Sequence, residues 1–166
     1  MTKKKSQQSK DRVRILVANG VNLDLLGLRE PTVYGSETLR DIETMIRRDA
    51  VSWAALVGLP EIELSFFQSN NEGDFLDHLT REFDGILINP GAWTHTSLAL
   101  ADRLKGLSIP YVEVHLSNVF AREPSRHHSY TAPGASGGVF GFGGASYRVG
   151  FLGLLLNLAK KTGKTA

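Results

Sequence analysis

The sequence predicts an α/β protein built on a parallel five-stranded sheet with helices on both faces. Three observations predict it. Short apolar runs alternate along the chain with amphipathic stretches of helical period, the pattern of strands that run parallel and are covered on both sides. Each run is stopped by turn residues and followed by a polar, irregular segment, as happens where a strand leaves such a sheet. The chain has 166 residues, 42% of them hydrophobic, with no internal repeat and no interior linker. That length suits one domain with a sizeable core.

The first run, VRILVANG (residues 13–20), is halted by Asn-Gly and reads as a buried strand. Ser36 or Thr38 can cap the helix over residues 37–56. Glu37 and Asp41 suit its positive end, and Leu39, Ile42, Ile46 and Trp53 keep helical spacing. EIELSFFQSN (61–70) alternates and reads as the second strand. EGDFLDHLTREF (72–83) reads as a helix, with Phe75, Leu79 and Phe83 at intervals of four and His78 facing solvent. DGILINPG (84–91) is the third strand, SLALADRLKGL (97–107) a helix ending near Gly106, and IPYVEVHLSN (109–118) the fourth strand. The Gly-rich SGGVFGFG (136–143) is the fifth, its glycines expected to allow close helix–sheet packing. A last helix runs from about Ser146 to Lys160.

Residues 1–12 hold four Lys, one Arg and one Asp, net +4 of a chain total of +2, so the rest carries −2. This polar head reads as a disordered basic tail, residues 13–160 as the single domain, and 161–166 as a flexible end. The head lacks the apolar core of a secretory signal. No apolar run approaches the roughly 20 residues that cross a bilayer. No cysteine is present, which rules out disulfides and thiolate chemistry and fits a cytoplasmic, reducing setting. Neither nucleic acid nor membrane is expected as a partner.

Ligands in open parallel sheets sit beyond the carboxyl ends of the strands. Four such exits line up here: NGVNLDLLGLREPTVYG, QSNNEGD, NPGAWTHTS and HLSNVFAREPSRHHSY. The first has neither a Gly-x-Gly-x-x-Gly nor a lysine-bearing phosphate loop. Gly-x-Ser-x-Gly and the zinc helix His-Glu-x-x-His are absent, and none of the eight lysines falls at an exit. What remains is acid–base work on a small polar anion, with no cofactor and no metal. The exits supply Arg29, Tyr34, His95, His115, Arg122 and Arg126 for it. Arginine grips carboxylates through two bonds, and histidine moves protons near neutral pH. A tyrosine can act as a base only if a cation such as Arg29 steadies its phenolate.

These residues carry a resemblance. The strings REPxxYG, NPGAxTHTS and EVHLSNxxAREPxRHHSY, in this order from about Val13 to Leu158, resemble type II 3-dehydroquinate dehydratase. The resemblance implies a flavodoxin-like fold, a homododecamer built as a tetramer of trimers, and no cofactor. It implies trans elimination of water from 3-dehydroquinate to 3-dehydroshikimate through an enol or enolate, in biosynthesis or quinate breakdown. Matched by motif position, Tyr34 is then the base and Arg29 the cation that lowers its pKa. His115 is the acid, oriented by Glu113, and Asn22 holds a water near the enolate oxygen. Asn89, His95, Leu116 through its backbone, Ser117 and Arg126 bind the substrate, and Asp102 reaches a substrate in the neighbouring subunit. Val21, Asp24 and Ser125 stand where the family usually has Pro, Asn and Phe. Arg122, His127 and His128 read as structural or interfacial. A non-catalytic binder of quinate-like acids is the alternative. A binder needs the carboxylate clamp but not Tyr34, Arg29, Glu113 and His115 together.

Overall fold

The computed structural model describes residues 11–27 and 37–161. Residues 1–10 of the expected basic head (residues 1–12), the end of the chain, and Arg29, Tyr34 and Ser36 lie outside the described residues. Five strands, β1 (Arg12–Asn19), β2 (Glu61–Gln68), β3 (Gly85–Asn89), β4 (Tyr111–His115) and β5 (Gly137–Phe140), form one sheet in the order β2-β1-β3-β4-β5. Every pairing is parallel. This is the flavodoxin-like order, in which the chain reverses its winding between β1 and β3. β1 takes in Arg12, which the apolar pattern left in the tail. Its guanidinium reaches Glu61 and Glu63 on β2, at 3.9 and 3.5 Å.

Four α-helices cover the sheet: α1 (Leu39–Leu56), α2 (Glu72–His78), α3 (Leu98–Leu107) and α4 (Ala145–Lys161). Thr38 caps α1 in a reciprocal box with Asp41: the threonine hydroxyl accepts from the Asp41 N–H, and the Asp41 carboxylate accepts from the Thr38 N–H. Alternate residues of each strand feed opposite faces. Ile15, Val17, Leu87, Val112 and Val114 pack with Ile42 and Ile46 of α1 and Phe151 and Leu154 of α4. Leu16, Ala18, Ile86 and Ile88 pack with Phe75 of α2 and Leu100 and Leu104 of α3. Asp49, buried on α1, accepts from Arg148 on α4 and ties the two helices that share a face.

Two expectations need correction. α2 stops at His78 rather than near residue 83, and Leu79 is extended. Leu79 and Phe83 are both buried as the interval of four suggested. The chain reaches Phe83 through a turn, and the Leu79 carbonyl that a longer helix would use accepts from Arg103 Nε at 3.0 Å. His78 is exposed and stacks on Phe67 at 3.8 Å between ring centroids. The glycines around β5 do not mediate the helix–sheet approach. Gly141 and Gly143 turn the chain with φ of 95° and 56°. The close approach falls to Gly150 on α4, where a Cβ would lie 2.4 Å from Val114 Cγ1.

Candidate active site

The exits of β1, β3 and β4 enclose a cleft of about 240 Å³ lined by Asn22, Asn89, His95, His115, Leu116, Ser117 and Arg126, together with Val21, Val119 and Arg122. It sits at the winding reversal, the position that parallel sheets reserve for ligands. The loop after β1 is pinned to its neighbours. Gly20 N–H donates to the Asn89 carbonyl at 2.8 Å. Asn22 takes a left-handed conformation (φ 64°) and its N–H donates to Asn70 Oδ1 at 2.7 Å. Asn70 also accepts from Gln68 at 3.0 Å. The second exit thus holds the first in shape.

Asn89 ends β3 with 2% exposure. Its Nδ2 donates to the Tyr147 hydroxyl at 2.9 Å, and its Oδ1 accepts from Gly91 N–H at 3.1 Å. Tyr147 in turn donates to Asn19 Oδ1 at 2.6 Å. Burial pushes the Tyr147 hydroxyl well above the usual tyrosine range, so it stays a donor. Tyr147→Phe is expected to leave two buried amides short of a partner and to cost about 1–3 kcal/mol. Urea unfolding checks this, with the midpoint lowered and the slope unchanged.

Glu113 lies on β4 with 3% exposure, on the sheet face that carries α2 and α3. Its Oε1 accepts from His115 Nε2 at 2.8 Å and from Thr94 Oγ1 at 2.7 Å, and its Oε2 accepts from Thr131 Oγ1. Burial pushes the Glu113 carboxyl up. The bonds from His115, Thr131 and Thr94 outweigh it and hold the group below the usual carboxylate range. With Nε2 committed to an anion, Nδ1 is the His115 nitrogen left for chemistry. With Nε2–H donating to the carboxylate, Nδ1 carries a proton only in the imidazolium form.

His95 closes the 3-10 turn Gly91–His95. Its Nδ1–H donates to the His128 carbonyl at 2.7 Å, which leaves Nε2 as an acceptor. Burial lowers its pKa, helped by His115 and Arg126 and only partly opposed by the His128 carbonyl. The His95 and His115 rings stack at 6.5 Å between centroids, and burial favours the neutral ring of His95. Arg126 and Arg122 bring positive charge to the far wall, with Glu123 between them. Arg126 Nε lies 2.6 Å from Glu123 Oε1, and Arg122 Nε lies 3.6 Å from its Oε2. The cleft therefore combines two imidazoles and two guanidiniums, with a buried carboxylate behind His115. That set can grip an anion and deliver a proton to it.

A family model for Dehydroquinase class II matches residues 13–155. The chain belongs to the class II dehydroquinase family. It is similar to the 3-dehydroquinate dehydratase of Synechococcus sp. (strain CC9605), 48% identical over 151 residues, which covers 89% of this chain and 99% of that one. It is similar also to "Catabolic 3-dehydroquinase 1" of Neosartorya fischeri, 47% identical over 150 residues and covering 89% and 95% of the two chains. Among solved structures, the type II dehydroquinase from Butyrivibrio crossotus DSM 2876 superposes with a TM-score of 0.74 at 40% identity, covering 83% of this chain and 94% of that one. Class II dehydroquinases are hydro-lyases, and the flavodoxin-like sheet agrees with that membership.

Of the residues that the dehydroquinase resemblance singled out, the fold brings Asn22, Asn89, His95, His115, Leu116, Ser117 and Arg126 to one cleft, with Glu113 directly behind His115. Asp102 is not among them. It is exposed on α3 and borders a second hollow, with Lys105, Ser108 and Tyr130. Val21 lines the cleft, whereas Asp24 and Ser125 are exposed. The sequence offered Arg122 among the exit residues but left it as structural or interfacial, whereas the fold places it in the cleft lining with Arg126. It also missed Thr94, Ser129 and Thr131, because nothing in a sequence tells which hydroxyls will face a buried carboxylate. Among the described residues no helix is long and apolar enough to cross a membrane.

Proposed function

We propose that the chain is a 3-dehydroquinate dehydratase that removes water from 3-dehydroquinate by trans elimination and releases 3-dehydroshikimate. The observation that carries this reading is the buried Glu113–His115 pair at the rim of an arginine-bearing cleft, in a chain of the class II dehydroquinase family. Elimination beside a ketone needs a base on one face, an acid on the other, and donors where negative charge develops. Tyr34 takes the proton beside the ketone, its phenolate steadied by Arg29. The electrons of that C–H bond form an enolate, whose oxygen is met by a water held by Asn22. The enolate collapses to the conjugated enone as the hydroxyl leaves. His115 Nδ1 gives that hydroxyl its proton, so water departs. Arg126 grips the substrate carboxylate. His95 as a neutral acceptor, Asn89, Ser117 and the Leu116 backbone hold its hydroxyls. Asp102, which borders a different hollow from this chain's own cleft, serves a neighbouring subunit's substrate in a tetramer of trimers. The cysteine-free sequence suits a cytoplasmic enzyme.

The test is ultraviolet absorbance of the conjugated enone, with purified protein and 3-dehydroquinate, beside Tyr34→Phe. The wild type is expected to form product, and the variant to lose about 10²–10⁴-fold in kcat. Folded wild-type protein that binds substrate and forms no product would replace the dehydratase with a binder of quinate-like acids.

A further inference from the structure

The two oxygens of Glu113 are held differently. Oε1 has His115 Nε2 at 2.8 Å, Thr94 Oγ1 at 2.7 Å and the more distant Ser129 Oγ at 3.5 Å. Oε2 is reached, among the described residues, by the hydroxyl of Thr131. Thr94 has one proton and three oxygen neighbours: Glu113, Ser129 at 2.7 Å and Thr131 at 2.8 Å. Its proton cannot serve Glu113 and Thr131 at once, so it is no substitute for Thr131 at Oε2. Thr131 itself is held from both ends. It is fully buried, and its carbonyl accepts from the Tyr111 hydroxyl and from Gly134 N–H. Nothing about this arrangement needs the hydroxyl for packing, since a methyl would fill the same space.

We propose that Thr131 is a positioning residue for the dehydration: its hydroxyl fastens the second oxygen of Glu113, and with it the orientation and charge of the carboxylate that holds His115. This rests on the dehydratase reading above. A buried carboxylate without a donor on one oxygen tends to take up a proton, and a protonated Glu113 is a poor partner for an imidazolium. The titratable groups around Glu113 are His115 and Tyr111 on β4 and His95 on the β3 exit. Arg126 acts on His95. Thr131 is neutral, so its removal changes no charge. It shifts only the equilibrium at Glu113.

The sign follows directly. Thr131 lowers the pKa of Glu113, so a variant without the hydroxyl protonates Glu113 at higher pH. The test compares Thr131→Val, Thr131→Ala and Thr131→Ser with the wild type by enone kinetics across pH and by the ¹³C carboxyl shift of Glu113. Thr131→Ala removes the hydroxyl without filling its place and covers the case in which Val misfolds. In Val and Ala the low-pH limb of kcat and the Glu113 titration are expected to move up together by about one to two pH units. At the optimum kcat falls about tenfold while KM stays within about twofold, and Ser restores both. Product formation with an unmoved limb and an unmoved Glu113 titration would overturn the role of Thr131 and leave the dehydratase standing. A shifted Glu113 titration with no product from any of the proteins would overturn the dehydratase and leave the Thr131–Glu113 linkage standing.

Discussion

His115→Gln lowers kcat for enone formation by about 10²–10⁴-fold, the contribution of one positioned general acid, with the melting temperature nearly unchanged. Glutamine is chosen because its amide N–H can still donate to Glu113 Oε1, the oxygen that His115 Nε2 meets at 2.8 Å. The buried carboxylate then keeps a partner, and the heavy penalty for stranding it is avoided. What glutamine lacks is a transferable proton. The loss therefore falls on kcat, whereas KM, set by groups such as Arg126, moves little. The pH profile gives a second check. Glu113 is held below the usual carboxylate range in spite of its burial. Its contribution to folding is thus present above the unfolded carboxylate pKa of about 4.3 and fades as pH falls through the folded value. Wild-type protein is expected to keep the Glu113 carboxylate ionised under mildly acidic conditions. A His115→Gln enzyme with undiminished kcat would remove His115 from the chemistry.

Phe151→Ala carries the largest expected loss of stability, about 3–5 kcal/mol. Phe151 is fully buried on α4 and stacks against Trp53 of α1 at 6.0 Å between centroids. It occupies the layer in which both helices meet β1, β3 and β4. α4 is drawn tight against the sheet at Gly150, one residue earlier, so the backbone has little room to settle into the void. A drop in Tm of about 6–20 °C follows for a domain of this size. Calorimetry with circular dichroism measures it, and a shift below about 2 °C would mean that this part of the core relaxes freely. Because Phe151 lies on the opposite sheet face from Glu113, kcat below the transition is expected to hold.

The strands and most helices were legible because their signals are local. The run VRILVAN can be satisfied in water only by burial on both faces, and Thr38 with Asp41 announces a helix start within four residues. The end of α2 was not legible. Phe75, Leu79 and Phe83 keep helical spacing, but the spacing says only that each is buried, and a turn stabilised by Arg103 from a distant helix buries Phe83 as well. The β5 glycines misled for a related reason. Glycine marks either a turn or a close approach, and only the neighbour across space decides which. In the site, the family strings identified the residues that carry charge or a transferable proton. They did not identify Thr94, Ser129 and Thr131, whose importance comes from facing one carboxylate.

By itself the sequence determined the alternation of strands and helices, the four polar exits, and the family whose strings fill them, since these depend on residue type and spacing along the chain. The tertiary structure alone decided that three of those exits share one cleft while Asp102 borders a second hollow. It also decided that the neutral ring of His95 is favoured and that Glu113 remains an anion in a buried place. Those outcomes depend on burial and, besides the His115–Glu113 bond two positions apart, on hydrogen bonds between residues 18, 19 and 33 positions apart, distances over which a sequence pattern carries no geometric information.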